Sequence, residues 1–230
     1  MYRIIITVAS VIFLFISCNR DNPTETKSNA TDIYPAQVKS EIYPFSIGNF
    51  WEYKEYEYER DTLNVIRDVK IELIDLININ FKGNILDVFK FKLTRVFPEY
   101  NNLVSVLYYL LRSEPDGIYW YGHSWDVDNN YNYVRKIYLK YPIDKGDSWI
   151  DDHSDYLEKF ECISTNDAVK INDIYYVCLR IRQGWSEDED PFFFDSYYSK
   201  GVGLIQSINK ESVYYWTKIT KQILDKVKIK

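Results

Sequence analysis

The 230-residue chain has two histidines, three cysteines, one methionine and only eight glycines. His123 and His153 stand alone, without a nearby Cys or a His-x-x-x-His spacing, so no zinc signature is present. There is no Gly-x-Ser-x-Gly elbow and no glycine-rich phosphate loop; "GVG" at Gly201–Gly203 is too short for one and suits a turn. Cationic residues are in deficit, 28 Lys and Arg against 34 Asp and Glu, and no long single-sign run hides a basic patch. A net charge of -6 argues against a nucleic-acid partner. The N-terminal apolar run, Ile4–Ile16, is shorter than the roughly 20 residues that a membrane-spanning helix needs. No motif asks for a cofactor.

Aromatics are what the chain has in plenty. Its 22 Tyr, 12 Phe and 6 Trp fit packed β structure and lie far from a disordered composition. Ile, Asn, Lys and Tyr are abundant together, which an AT-rich genome also produces.

The start "MYRIIITVASVIFLFISC" has Arg3, an apolar stretch, then Ser17 and Cys18, the layout of a secretory signal over residues 1–17. Its ending "FISC" resembles a bacterial lipoprotein signal, with Phe15 where Leu is usual. That resemblance implies a palmitate-type lipid anchor on Cys18, which becomes the new N-terminus, and Asn19 in place of Asp implies the outer membrane. Each buried methylene contributes about 0.8 kcal/mol, and two or more chains hold a protein stably on a bilayer. Residues 18–41 read as the lipidated N-terminus and a flexible tether: "NRDNPTETKSNATDIYPAQVKS" is polar, holds two prolines and shows no apolar periodicity. About 22 such residues span roughly 25 Å.

A single β-rich domain is expected over 42–230. Val69, Ile71 and Leu73 alternate with polar residues, as do Phe89, Phe91 and Leu93, the period-2 mark of half-buried strands. "YVRKIYLKY" alternates too, although Arg135 spoils its face. The aromatics after Trp51 change parity near Lys54–Glu55, which implies either a one-residue bulge or a strand with two aromatic faces. In the C-terminal segment, Trp216, Ile219, Ile223 and Val227 have helical spacing, whereas the β-branched content argues for a strand through at least Lys221.

"YPFSIGNFW" from Tyr43 and "YPIDKGDSW" from Tyr141 share Tyr-Pro, Gly at the sixth place and Trp at the ninth. With 8 Gly and 6 Trp in 230 residues, both offsets match by chance roughly once in a thousand trials. The segments after each copy also agree in order, so two repeats are expected, about 42–140 and 141–230. Pro starts or edges a strand, Gly permits a turn and Trp anchors the next strand, so the phrase reads as architecture.

Together, "YPFSIGNFWEY", "DGIYWYG", "YPIDKGDSW" and "YSKGVGLIQSI" make residues 43–220 resemble a broad group of uncharacterised bacterial envelope lipoproteins similar to the TapB-like family. The resemblance implies a curved antiparallel sheet or partial barrel and no established enzymatic activity. The sequence departs from the glycine-rich turns of such proteins at "KIND", Lys170–Asp173.

Few residues offer chemistry. Cys162 and Cys178 lie on neighbouring predicted strands, where either a disulfide or two buried thiols fits; a bridge closing a loop of about 15 residues would contribute about 3 kcal/mol. Against the bridge, Cys178 alternates with Tyr176 and Arg180 and would point away from Val177, Leu179 and Ile181. "DVDNNYN" at Asp126–Asn132 has alternate oxygen ligands but lacks the glycine and glutamate of a calcium loop. The acids Glu187–Asp190 read as a solvated loop. "IYWYGHSW" puts Tyr119, Trp120, Tyr121 and Trp125 close together, as core or as ligand-contact aromatics. The expectation is a membrane-anchored, non-enzymatic protein that binds an apolar small molecule or a glycan, or that meets an envelope protein. The rival is a polymer-degrading hydrolase using paired carboxylates. Cys18→Ser is expected to leave the protein soluble in the envelope; fractionation that finds the variant still on washed membranes overturns the lipid anchor.

Overall fold

The computed structural model describes residues 39–125, 131–151, 158–185, 193–213 and 216–230. Residues 1–38, with the signal sequence, Cys18 and most of the tether, lie outside them. Twelve strands are found among the described residues: β1 (Phe50–Glu59), β2 (Thr62–Phe81), β3 (Asn84–Phe97), β4 (Leu103–Glu114), β5 (Gly117–Ser124) and β6 (Lys136–Lys140), then β7 (Ser148–Asp151), β8 (Glu158–Ile171), β9 (Ile174–Trp185), β10 (Phe193–Ser199), β11 (Gly203–Val213) and β12 (Trp216–Lys228). The C-terminal segment is therefore a strand. One short 3-10 turn, Pro98–Tyr100, joins β3 to β4.

The strands form one antiparallel sheet in the order β6-β5-β4-β3-β2-β1-β12-β11-β10-β9-β8-β7. The edges β6 and β7 come alongside each other, with Lys136 Nζ 3.9 Å from Asp151 Oδ2. The expected curved sheet thus bends into a nearly closed barrel. Its edges are only five and four residues long, which leaves little unpaired backbone for another chain to join.

Turn chemistry explains the hairpins. Arg60-Asp61 and Asn172-Asp173 both take left-handed backbone angles, as do Lys82 and Gly83, the geometry of tight two-residue hairpin turns. Asn and Asp tolerate that region, so "KIND" turns β8 into β9 without glycine.

Inward parity is kept through most of the first half. Trp51, Tyr53, Glu55 and Glu57 are buried in unbroken alternation on β1, with Tyr56 and Tyr58 on the other face. The two-faced strand is the one observed. The bulges lie in its partners, at Asp225 of β12 and Asn64 of β2, where one residue is skipped in each register. Two expected faces break. On β6, Arg135 precedes the strand and turns outward, where its guanidinium lies 3.7 Å over the Tyr119 ring and Nη2 donates to Glu114 Oε2 at 2.6 Å. On β9, Tyr176 and Cys178 pack into the core and Val177 is 66% exposed, opposite the stretch of β8 between Cys162 and Asp167 where the register shifts.

The inner core runs from Trp51, Tyr53, Leu73 and Phe91 to Trp120 and Ile205. A second cluster, with Val88, Leu110, Tyr119 and Tyr121, lies on the outer face of β2–β5 beneath Tyr131. Gly122 allows that covering segment to approach: a Cβ there would sit 2.4 Å from the Asn132 carbonyl oxygen.

The two Tyr-Pro phrases make the same backbone bonds. Gly48 N–H donates to Leu73 O at 2.8 Å, and Leu73 N–H returns to Asn49 O at 3.0 Å. Gly146 N–H donates to Cys162 O at 2.8 Å, and Cys162 N–H returns to Asp147 O at 2.8 Å. Both glycines are left-handed, with φ 89° and 91°. Trp51 is fully buried and its Nε1 donates to Val202 O at 2.6 Å, whereas Trp149 is half-buried and stacks on Phe160.

Residues 40–49 close one end of the barrel. Ser40 Oγ accepts from the N–H groups of Ile42 and Tyr43, and Gly201 N–H donates to Glu41 O at 2.8 Å. Tyr43 packs edge-on against Trp51 and Tyr198, and Phe45 stacks on Phe89 at 4.8 Å. Gly203, at φ +94°, makes room for this: a Cβ there would meet Tyr43 Cε1 at 2.7 Å. Gly203→Ala is expected to cost about 2–4 kcal/mol in urea unfolding, from left-handed strain plus overpacking. Gly201→Ala, with open space around its Cβ, should cost about 1–2 kcal/mol; equal losses would show that Tyr43 does not press on Gly203.

Candidate functional site

The barrel is not filled. A cavity of about 230 Å³ occupies its interior, and every strand contributes to the wall. This is room for several waters or for a small ligand. The wall has two levels. Toward the closed end it is apolar and aromatic, with Tyr109, Trp120, Tyr198 and Leu204. Toward the opposite end polar groups enter, among them Glu55, Arg95, Lys136, Asp151, Glu158 and Asn209, interleaved with the rings of Phe97 and Phe194.

Tyrosines make up much of the floor. Tyr109 stacks between Phe91 and Trp120, at 5.1 and 5.0 Å. Tyr53 donates to Leu204 O at 3.0 Å. Burial pushes the phenols of Tyr43, Tyr53, Tyr109, Tyr138 and Tyr198 well above the ordinary range, so the floor stays uncharged.

At the polar level, alternation on β1 buries two glutamates and neighbouring strands supply their cations. Arg67 Nη1 sits between Glu55 Oε1 at 3.1 Å and Glu57 Oε2 at 2.9 Å, and its Nε donates to Glu99 at 2.7 Å. Arg95 Nη2 lies 3.1 Å from Glu55 Oε2, and Lys218 Nζ lies 3.4 Å from Glu57. Burial works against the Arg67 charge, but the carboxylates of Glu99, Glu57 and Glu55 outweigh it and raise its pKa. Arg95, where burial outweighs the one carboxylate, is lowered.

Across the cavity, Asp151 and Glu158 are directly opposed on β7 and β8, with Lys136 beside Asp151. Burial, aided by the Asp151 charge, raises the Glu158 pKa; Lys136 and the Gln183 amide at 3.2 Å pull the other way.

The structure divides the aromatics singled out in the sequence. Trp120 and Trp125 line the cavity. Tyr119 and Tyr121 do not, because strand alternation turns them to the outer cluster, where their hydroxyls donate to Asp116 and Glu114 at 2.7 and 2.6 Å. Cys162 and Cys178 are free, buried thiols rather than a bridge: Cys162 is opposite Ile181 and Cys178 opposite Asp167. Burial raises both thiols, Cys178 to about 11, so neither is poised as a nucleophile. His123 packs against Trp120, and burial lowers its pKa. His153, Asp126–Asn130 and Glu187–Asp190 lie outside the described residues. Among the described residues no group of three or more His, Cys, Asp or Glu forms a metal site.

The charged lining was missed in the sequence, though a signal existed. Glu55 and Glu57 continue the parity of Trp51 and Tyr53, Arg67 that of Val69, and Arg95 that of Phe91 and Leu93. Charges on core parity near strand ends mark a wet interior.

No family model and no curated protein matches the chain. Two solved structures are similar. One is a candidate lipoprotein from Parabacteroides distasonis ATCC 8503, 12% identical, with TM-score 0.48, covering 84% of this chain and 100% of its own. The other is a candidate exported protein with a YmcC-like fold from Bacteroides fragilis NCTC 9343, 9% identical, with TM-score 0.46, covering 81% and 98%.

The raised Glu158 pKa has a checkable consequence. Its folded form holds its proton to higher pH than the unfolded chain does, so stability falls as pH rises from the unfolded value near 4.3 through the folded one. Glu158→Gln is expected to stabilise the protein at pH 7 and to change little below about pH 4 in urea titrations; a destabilised variant at pH 7 would show that the carboxylate is compensated.

Proposed function

We propose that the chain is a lipid-anchored, non-enzymatic lipoprotein of the bacterial outer membrane, akin to the TapB-like family, that holds a small ligand inside its barrel. The observation that carries this reading is the cavity, a two-level space with an uncharged aromatic floor and a hydrogen-bonding upper wall. The doubled Tyr-Pro turns support an origin by duplication of a six-strand unit, with β1–β6 and β7–β12 as the copies.

One observation favours the hydrolase instead. The opposed Asp151 and Glu158 are paired carboxylates, and one of them has a raised pKa. Release of reducing ends from an oligosaccharide, lost in Asp151→Asn, would put that reading first.

Ser207 is buried and lines the cavity, so Ser207→Phe places a ring in it. Native mass spectrometry of the purified protein is expected to find a co-purifying small molecule, or uptake of the apolar probe N-phenylnaphthylamine. Ser207→Phe should weaken uptake at least about tenfold with the far-ultraviolet spectrum unchanged. Equal uptake by the folded variant moves the ligand out of the barrel.

A further inference from the structure

The cavity wall holds many polar residues but shows little of them. Its carboxylates are almost fully covered: Glu55 is 1% exposed, Asp151 4% and Glu158 9%. Arg95, Gln183, Ser196, Ser207, Asn209 and Thr220 are buried as well. Glu55 is engaged by Arg67 and Arg95, and Glu158 by the Gln183 amide. The charged and amide or hydroxyl side chains of the wall that keep more surface are Ser105 on β4, Lys136 on β6 and Gln222 on β12. Those strands are not neighbours in the sheet.

Hydrocarbon makes up most of what remains accessible. Ile71 and Leu93, directly paired on β2 and β3, are half-buried and line the cavity. Phe97 follows Leu93 on the same face of β3, also half-buried, and the strand between them runs about 13 Å. On the opposite wall of the ring, Phe160 of β8 and Phe194 of β10 are half-buried too. Trp125, which is 48% exposed, continues this apolar surface out to solvent.

A surface of this kind selects by what it leaves unbonded. A glycan brings a hydroxyl at nearly every carbon, and each needs a new partner once it leaves water. Ser105, Lys136 and Gln222, spaced as they are, cannot match such a row. An unbranched hydrocarbon chain asks for no partners, and each of its methylenes gains by leaving water. The length of the run from Leu93 to Phe97 suits an extended chain better than a single ring.

We infer that the cavity takes the unbranched hydrocarbon chain of a lipid, lying on Ile71, Leu93 and Phe160 and leaving past Phe97, Phe194 and Trp125, with its polar end in solvent. This deepens the reading of the cavity as a ligand site and rests on it.

Calorimetric titration of the mature chain carrying Cys18→Ser tests the inference with 1-hexanol, 1-octanol and 1-decanol, and with cellotetraose as the glycan. Affinity is expected to rise about three- to fourfold for each added methylene, and cellotetraose to bind at least about tenfold more weakly than decanol. Decanoate and decanoyl-lysophosphatidylcholine then separate the sources of such a chain: tighter binding of the first marks a free fatty acid, of the second a membrane lipid. Leu93→Gln, which sets an amide in the apolar run, should weaken decanol at least about tenfold with the far-ultraviolet spectrum unchanged. Equal affinity for the three alcohols, or cellotetraose binding as tightly as decanol, overturns the inference and leaves the ligand site standing. Unchanged decanol binding by folded Leu93→Gln also overturns it, while uptake blocked by Ser207→Phe still keeps a ligand in the barrel. No binding by any probe overturns the ligand site itself. The alcohol series in the unsubstituted protein decides the matter if Leu93→Gln does not fold.

Discussion

Everything above the aromatic floor follows from the burial of Glu55 and Glu57 on the inward face of β1. A carboxylate taken out of water must be matched, and removal of one partner from such a pair costs about 3–5 kcal/mol. Arg67, Arg95 and Lys218 turn inward from β2, β3 and β12 to meet them. Long guanidinium side chains tied to fixed carboxylates hold the upper interior open, because their geometry leaves them unable to pack like leucines. The lower interior, where the same strands carry Trp51, Tyr53, Val69 and Phe91, closes into a dense core. The cavity begins where that core gives way to charge.

The architecture keeps this arrangement in place with little local help. Nearly every contact between elements is between strands adjacent in the sheet, so the interior is a ring of neighbours rather than a stack of layers. All ten residues of β1 have partners on β12, with one bulge at Asp225, whereas on the far side β6 and β7 meet through the Lys136–Asp151 pair. The cavity-lining groups Lys136 and Asp151 straddle that open side. Their separation reports directly on how tightly the sheet has curled.

Much of this could be read from the chain before the fold was known. Alternation placed Val69, Leu73 and Phe91 on one face, the pattern with Gly48 and Gly146 marked two equivalent turns, and the C-terminal β-branched residues continued a strand. Local signals failed where conformation depends on partners. Arg60-Asp61 turns a hairpin with no glycine or proline to announce it. Cys178 lies opposite a stretch of β8 with extra residues, which only pairing reveals. Tyr119 and Trp120 are equally aromatic in the sequence, but one residue of parity sends the first under Arg135 and the second into the cavity. The site was hidden for a related reason. Its charged lining residues lie one each on β1, β3, β6, β7 and β8, and converge only when the sheet curls.

The closing segment carries a mechanical consequence. The chain reaches the barrel through residues 40–49, which bind across its closed end before β1 begins, and the C-terminus returns to the same place, with Lys230 N–H on Asn49 Oδ1 at 2.8 Å. Force arriving along the N-terminal segment is therefore borne first by Tyr43 and Phe45, wedged among Trp51, Phe89 and Tyr198, and by the Gly201–Glu41 bond. The seam that takes this load lies at the opposite pole from the Glu55–Arg95 level. A pull on residues 40–49 would therefore reach the cavity first through Tyr198, which packs against Tyr43 and lines the floor, and only afterwards Glu55 and Arg95.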